Sequence, residues 1–198
     1  MTADTNTKEE APKPTIRELY GTPAEVLTDG TITLRRYQAE DAEGAYEASM
    51  TMMPELIKWM TWASDKYDLD AARGFTSFAR DAWDGGKEWD YACIVDGTFH
   101  GSFSLMYPME GDGMDIGYWL AKSATGKGIA TRATKLLMDA AFRDTTCPNL
   151  QIRHDVRNTK SEAIPKRLGF AYVGTKPTTR KDEAVEDKLW RLSRPDAL

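Results

Sequence analysis

Cysteine and histidine are scarce in this 198-residue chain, with only two of each. Cys93 and Cys147 form no CxxC pair and have no histidine at metal-ligand spacing, so the pattern points to no zinc site and no disulfide framework. Cys93 lies in the apolar run YACIV and reads as a small core residue, for which a reducing compartment is the natural setting. No apolar run approaches the ~20 residues needed to span a bilayer. The N-terminal stretch MTADTNTKEEAPKPT has no apolar segment and does not read as a secretory signal. Positive charge is also short: 26 Lys and Arg face 31 Asp and Glu, a net charge of −5. Nucleic acid is therefore not the default partner, although a local basic pocket is compatible with this balance. The expectation is a soluble, cytoplasmic protein without a metal or a membrane partner.

What is present fits a folded domain, since 41% of residues are hydrophobic and six are tryptophan. Residues 1–15 read as a disordered tail and 16–198 as one domain. Asp29-Gly30 and Asp96-Gly97, each between β-branched or aromatic runs, read as hairpin turns. QAEDAEGAYEASMTMMPELIKWMTWAS reads as helix interrupted around Pro54. DAARGFTSFARDAWDGG reads as an amphipathic helix with Ala72, Phe75, Phe78 and Ala79 on its buried stripe. GMDIGYWLA reads as a strand, and a helix follows from Gly128 to Phe142. NLQIRHDV reads as a strand and NTKSEAIPKRLG as a short helix closed by Gly169. FAYVGT and VEDKLWRLS then read as strands around a polar turn. The fold class is mixed α/β, with a mostly antiparallel sheet.

The segment SATGKGIAT, between the strand GMDIGYWLA and the long helix, suggests phosphate. A nucleotide P-loop fails, because Ala121 stands where its first glycine belongs and Gly128 replaces the magnesium-binding hydroxyl. A dinucleotide fingerprint is weak, with Thr131 in place of its third glycine and hairpin-linked strands before it. Two readings remain: a Gly-rich turn with no ligand, or a pyrophosphate held by backbone. For the second, Gly126 and Gly128 let the chain approach closely, and the amides of Lys127 to Thr131 open a helix whose dipole attracts an anion. From Ile116 to Met138 there is no carboxylate, while Lys122, Lys127, Arg132 and Lys135 are all present.

GYWLAKSATGKGIATRA followed by IRHDVRNTKSEAIPKRLGF resembles the GNAT superfamily of acyl-CoA-dependent N-acyltransferases, in its ribosomal-protein N-terminal acetyltransferase branch. The superfamily's pyrophosphate signature, [RQ]-x-x-G-x-[GA], falls on Thr125 to Ala130, with Gly128 and Ala130 matching and Thr125 departing. Its second signature, N-x-x-S before a helix ending in L-G-F, matches Asn158, Ser161, Leu168, Gly169 and Phe170. The resemblance covers about residues 26–193. It implies a central mixed sheet flanked by helices on both faces, and direct transfer of an acetyl group from acetyl-CoA to a primary amine. It implies as acceptor a protein or peptide N-terminus. A small amine (antibiotic, polyamine or aminoacyl nucleotide) and a non-catalytic CoA-binding domain are the alternatives. Relatives are often homodimers.

The resemblance also assigns roles. Thr125, Gly126, Lys127, Gly128, Ile129, Ala130 and Thr131 would bind the pyrophosphate, and the Leu120 backbone N–H would stabilise the oxyanion. Asp115 stands where many relatives carry a general base, and it reads equally as a solvated strand carboxylate. His154 has an ordinary pKa suited to a base, and it reads also as a satisfied core histidine. Relatives commonly use a tyrosine at the position of Pro165 to protonate the thiolate, so Ser161 becomes the candidate donor, while it also suits the first turn of a helix. Asn158 would bond the pantetheine amides or cap that helix. Trp59 and Trp62, with Met60, would wall the acceptor pocket or simply pack on the sheet. Glu55 would attract a cationic amine or sit in solvent.

Overall fold

The computed structural model describes residues 13–195. The two Asp-Gly pairs turn the chain as their sequence requires. Val26–Thr28 (β1) and Ile32–Arg36 (β2) pair antiparallel across Asp29-Gly30. Trp89–Val95 (β3) and Thr98–Met106 (β4) pair across Asp96 and Gly97, whose φ angles of 50° and 74° are the positive pair of a type I′ turn. Met114–Leu120 (β5), Asn149–Asp155 (β6), Ala171–Arg180 (β7) and Glu183–Ser193 (β8) complete one eight-stranded sheet in the order β1-β2-β3-β4-β5-β6-β8-β7. Its pairs are antiparallel except β5 with β6.

Helices cover both faces. These are Ile16–Tyr20 (α1), Asp41–Met50 (α2), Met53–Trp59 (α3), Leu69–Asp84 (α4), Ile129–Asp144 (α5) and Thr159–Arg167 (α6), with a 3-10 turn at Lys122–Ala124 between β5 and α5. α5 buries Ala133, Leu137, Ala140 and Ala141 against Tyr91, Phe103, Leu105 and Ile116 of the sheet, in a core that also takes Ile16. On the other face α2 and α4 place Ala45, Ala48 and Ala79 against Ala92 and Phe99. Small residues at these helix positions let the backbones approach the sheet closely. Cys93 and Cys147 are both buried and unpaired, as core residues.

The structure differs from the sequence reading in three places, and part of that reading falls outside the described residues. α1 was not anticipated: its cap, Thr15, accepts from the Glu18 N–H while Glu18 reaches back to the Thr15 N–H, a capping box already spelled in the T-x-x-E of the sequence. Residues 1–12 of the expected tail, and 196–198 of the expected domain, lie outside the described residues. Phe78 is not on the buried stripe of α4; it is exposed, and Thr76, Ala82 and Trp83 are buried instead. The polar stretch expected as a turn before β8 is strand almost throughout, and the reversal is confined to Lys181 and Asp182 at φ 50° and 64°. Pairing with β8, not hydrophobicity, holds Thr175–Arg180 extended, so period-two patterning could not show it. Among the described residues no helix is long and apolar enough to cross a membrane.

Candidate active site

β5 and β6 run parallel but pair only at Met114↔Leu150 and Asp115↔Gln151. Gly113 sets this close base: at φ 94° it lies where a Cβ would collide with the Asn149 carbonyl. Beyond it the strands separate, and a cleft of ≈ 1030 Å³ opens between them. The cleft passes from the α5–α6 side of the sheet to the α3 side, with Tyr118 and Leu120 on its floor and Gly117 and Trp119 on its far side.

The start of α5 borders one end. Thr125, Gly126, Gly128, Ile129, Ala130 and Thr131 all line the cleft. Gly126 and Gly128 both have φ 74°, and Gly128 is an N-cap without a side-chain cap, so the amides of the first turn have no intrahelical acceptor. A Cβ at either glycine would meet nothing within 4 Å, so the glycines leave open cleft beside these amides. That is the geometry a pyrophosphate needs. The Lys127 side chain is exposed and does not line the cleft; its place in the loop is through its main chain. The positive charge is also less free than the sequence suggested. Arg132 is held 2.7 Å from Asp29 of the β1–β2 turn, and Lys135 pairs with Asp139 at 2.6 Å.

At the middle of the cleft the Ala121 N–H bonds to His100 O on β4, 2.7 Å away. By the alternation of a strand, the Leu120 N–H faces the other way, toward the gap left by β6. Ser161 is in the first turn of α6, where its N–H donates to Asn158 Oδ1 at 3.1 Å. Asn158 is thus a true N-cap, and its Nδ2 remains to face the cleft. Tyr118 Oη lies 3.0 Å from Ser161 Oγ, and burial pushes its pKa up to about 12.

Of the two candidate bases, one lies outside the cleft and the other has both ring nitrogens engaged. Asp115 does not line the cleft. It is buried at the closed base of the strands, where Oδ2 accepts from the Met109 N–H at 3.2 Å and Arg153 Nε stands 3.9 Å away. Burial raises its pKa, with the Met109 N–H and Arg153 opposing. His154 borders the cleft but offers no free nitrogen. Nδ1 bonds Asp155 O at 2.9 Å, and Nε2 accepts from the Trp190 indole at 3.0 Å, so it is a satisfied core histidine.

The far end is roofed by α3. Glu55, Leu56, Trp59 and Met60 line it, and Arg153 and Arg180 face them from the sheet. Glu55 is half-exposed and bound to Lys58 at 2.9 Å, which lowers its pKa. Trp62 does not line the cleft; it lies behind, stacked at a tilt on Trp119 with ring centroids 5.8 Å apart. The β7–β8 tip closes over this end, with Lys181 Nζ donating to Ile57 O at 2.8 Å and Ala63 O at 2.6 Å.

Residues 31–171 match the acetyltransferase (GNAT) domain family. The chain belongs to the GNAT acetyltransferase family. It is an acetyl-CoA-dependent N-acetyltransferase with the mixed sheet of that family. It is 33% identical over 147 residues to a Bacillus subtilis (strain 168) protein named "Putative ribosomal N-acetyltransferase YdaF", covering 72% of this chain and 79% of that one. The ribosomal L7/L12 alpha-N-protein acetyltransferase RimL, solved with coenzyme A, shares the fold at TM-score 0.78 and 18% identity over 85% of this chain and 98% of RimL. The microcin C7 self-immunity acetyltransferase MccE, solved with acetyl-CoA and AMP, does so at 0.77 and 22%, over 83% and 93%.

Several residues of this GNAT cleft escaped the sequence reading. Tyr118 was findable, since it shares a strand face with Leu120 by two-residue alternation. Lys160 and Arg167 of α6 and Arg180 of β7 line the cleft without a sequence mark of their own. Arg180 was hidden because its segment did not read as strand.

Proposed function

We propose that this enzyme acetylates the α-amine of a protein N-terminus, with a ribosomal protein as the acceptor class, and that residues 16–198 act as one unit in the cytoplasm. The observation that carries the reading is the opening between β5 and β6, which joins the glycine loop of α5 to an aromatic end under α3. Identity to the protein named as a ribosomal N-acetyltransferase supports the acceptor class. Chemistry supports it too, because an α-amine with a pKa near ~8 is partly neutral at physiological pH, whereas a lysine near ~10.4 is not.

Acetyl-CoA supplies the activated acetyl thioester. The α5 first-turn amides, with Gly126 and Gly128, hold its pyrophosphate, and Asn158 Nδ2 donates to an amide carbonyl of its arm. The Leu120 N–H stabilises negative charge on the acetyl oxygen, a contribution of roughly 3 kcal/mol for a preorganised donor. Ser161 Oγ, polarised by Tyr118, donates to the departing sulfur. Trp59, Met60 and Trp119 exclude water from the amine, and Glu55 stands at the entrance.

Product masses test this directly: acetyl-CoA is incubated with a set of N-terminal peptides from ribosomal proteins and a set of small amines. Acetylation confined to peptide α-amines is expected. Transfer to the small amines alone overturns the acceptor class.

A further inference from the structure

Arg153 brings a guanidinium to the cleft and makes no hydrogen bond with it. It lies two residues past Gln151, the last residue of β6 that pairs with β5. By alternation it shares a sheet face with Asp115, Gly117 and Trp119, which is the α3 face. Arg153 lines the cleft there, although its side chain is only 11% exposed. The parallel register sets it level with Gly117, roughly 10 Å along the strand from Leu120.

The carboxylates around Arg153 are committed elsewhere or stand too far away. Glu110 Oε1 is 3.4 Å from Nη2 and is shared with Lys176 at 3.7 Å. Asp115 Oδ2 is 3.9 Å from Nε and accepts instead from the Met109 N–H. Neither contact is a hydrogen bond. Asp155, two residues on along the same face, is taken by Arg157 at 2.7 Å and Arg180 at 2.8 Å. Asp112 accepts from the Asn149 amide at 2.9 Å. Arg191 on β8, opposite Gln151, adds positive charge behind Arg153 rather than an acceptor, and its own Nε is sealed and unpartnered. Nε and Nη2 of Arg153 are likewise sealed without a partner among the described residues. Nη1 is not sealed and has no partner there either, so it is the atom left to face the cleft. A guanidinium this buried is costly to hold without an acceptor, and its own chain supplies none.

We infer that Arg153 selects the acceptor: its Nη1 receives a carboxylate side chain carried within the first three residues of the polypeptide. The inference rests on the reading above that a protein N-terminus enters this end of the cleft. Reach sets the position. With the amine beside the Leu120 N–H, roughly 10 Å is spanned by one or two extended residues and an acidic side chain. Charge sets the chemistry. A carboxylate gives the guanidinium a hydrogen bond about twice as strong as a neutral amide can. A basic side chain at the same place meets like charge and is rejected. Arg180, the other guanidinium at this end, does not compete, because Asp155 and Asp187 hold it at 2.8 and 2.7 Å.

The test uses peptide pairs that differ by one group, Asp against Asn at the first residue and Glu against Gln at the second and third. At one of these positions the wild type should favour the acid by about 10- to 100-fold in kcat/KM, the scale of a hydrogen bond between charged partners. The difference should lie mainly in KM, because the contact is made in ground and transition state alike. In Arg153→Gln the preference should fall below about threefold, with the amide peptide little changed. Arg153→Lys should keep part of it, as a point charge without the planar fork. Retained thermal stabilisation by acetyl-CoA verifies folding. Glu110→Gln, at an exposed position, removes the nearest internal rival and should widen the preference; it serves if the Arg153 variants do not fold. No preference at any of the three positions, a preference that survives Arg153→Gln, equal losses on both members of a pair, or no change in Glu110→Gln each overturn the inference and leave the acceptor reading standing. A wild-type enzyme that acetylates free amines and none of these peptides overturns the acceptor reading, and the inference with it.

Discussion

Tyr118 Oη sits 3.0 Å from Ser161 Oγ and 3.3 Å from the Ser161 carbonyl oxygen. The second contact exists because of Pro165. In a helix the residue four positions on donates its N–H to that carbonyl, and proline has none to give. Tyr118 reaches it from the neighbouring strand, its one proton shared between that carbonyl and Ser161 Oγ. Where the resemblance implies a tyrosine, this chain has a proline that leaves a carbonyl open to a different tyrosine.

Removing that phenol should slow the chemical step without loosening the cofactor. Tyr118→Phe is expected to lower kcat by about 10- to 100-fold, the lower part of the range for lost proton-donor assistance. KM for acetyl-CoA should stay within about twofold, since the ring and its packing remain. Ser161→Ala should give a similar loss, and the double variant little more, because the two hydroxyls act as one unit. Steady-state kinetics on the three variants checks this.

The glycine loop makes a binding prediction. Gly128→Glu adds a side chain and a negative charge where the α5 amides face open cleft, so saturating acetyl-CoA should no longer raise the melting temperature. Gly128→Ala isolates the backbone contribution. At φ 74° an alanine costs about 1 kcal/mol of conformational strain, so this variant should be slightly less stable yet still respond to the ligand.

Acid should act through Asp155. Hydrogen bonds from Arg157 hold its carboxyl down at about 2, with Arg180 adding to the effect. A carboxyl depressed on folding contributes stability that is complete above its unfolded value near ~3.9 and is lost as pH falls toward the folded one. The denaturant midpoint of the wild type should therefore drop between about pH 5 and pH 2, and that of Asp155→Asn should drop less over the same range. Identical acid profiles would remove Asp155 from the account.

Lys181 ties the β7–β8 tip to the carbonyls of Ile57 and Ala63 above the acceptor end. Lys181→Met keeps the apolar stem and loses both bonds. KM for the peptide should rise several-fold, with the acetyl-CoA-induced shift in melting temperature unchanged, because the cofactor loop is at the other end of the cleft. An unchanged peptide KM means that the two Lys181 bonds do not shape the entrance.

The legible parts of this molecule were those written locally. Asp29-Gly30 and Asp96-Gly97 announced their hairpins through backbone geometry alone, and Gly128 announced the mouth of α5 in the same way. Asn158 and Ser161 were legible because a cap and its N3 partner are fixed by spacing. What the sequence did not show depends on distant pairing. His154 gave no hint that Trp190 would engage it, 36 residues away in the chain. Asp115 was assigned to the right strand face and still lay outside the cleft, because the divergence of β5 from β6 begins just past it. Trp62 failed for a related reason: Trp119 stands in front of it.

The two residue pairs that join β5 to β6 leave a window through the sheet rather than a groove on its surface. On the proposed reading, nucleotide and polypeptide approach such a window from opposite sides and never share a doorway. Spent coenzyme and finished amide can then depart in either sequence, and a bulky folded substrate need only thread its first residues inward.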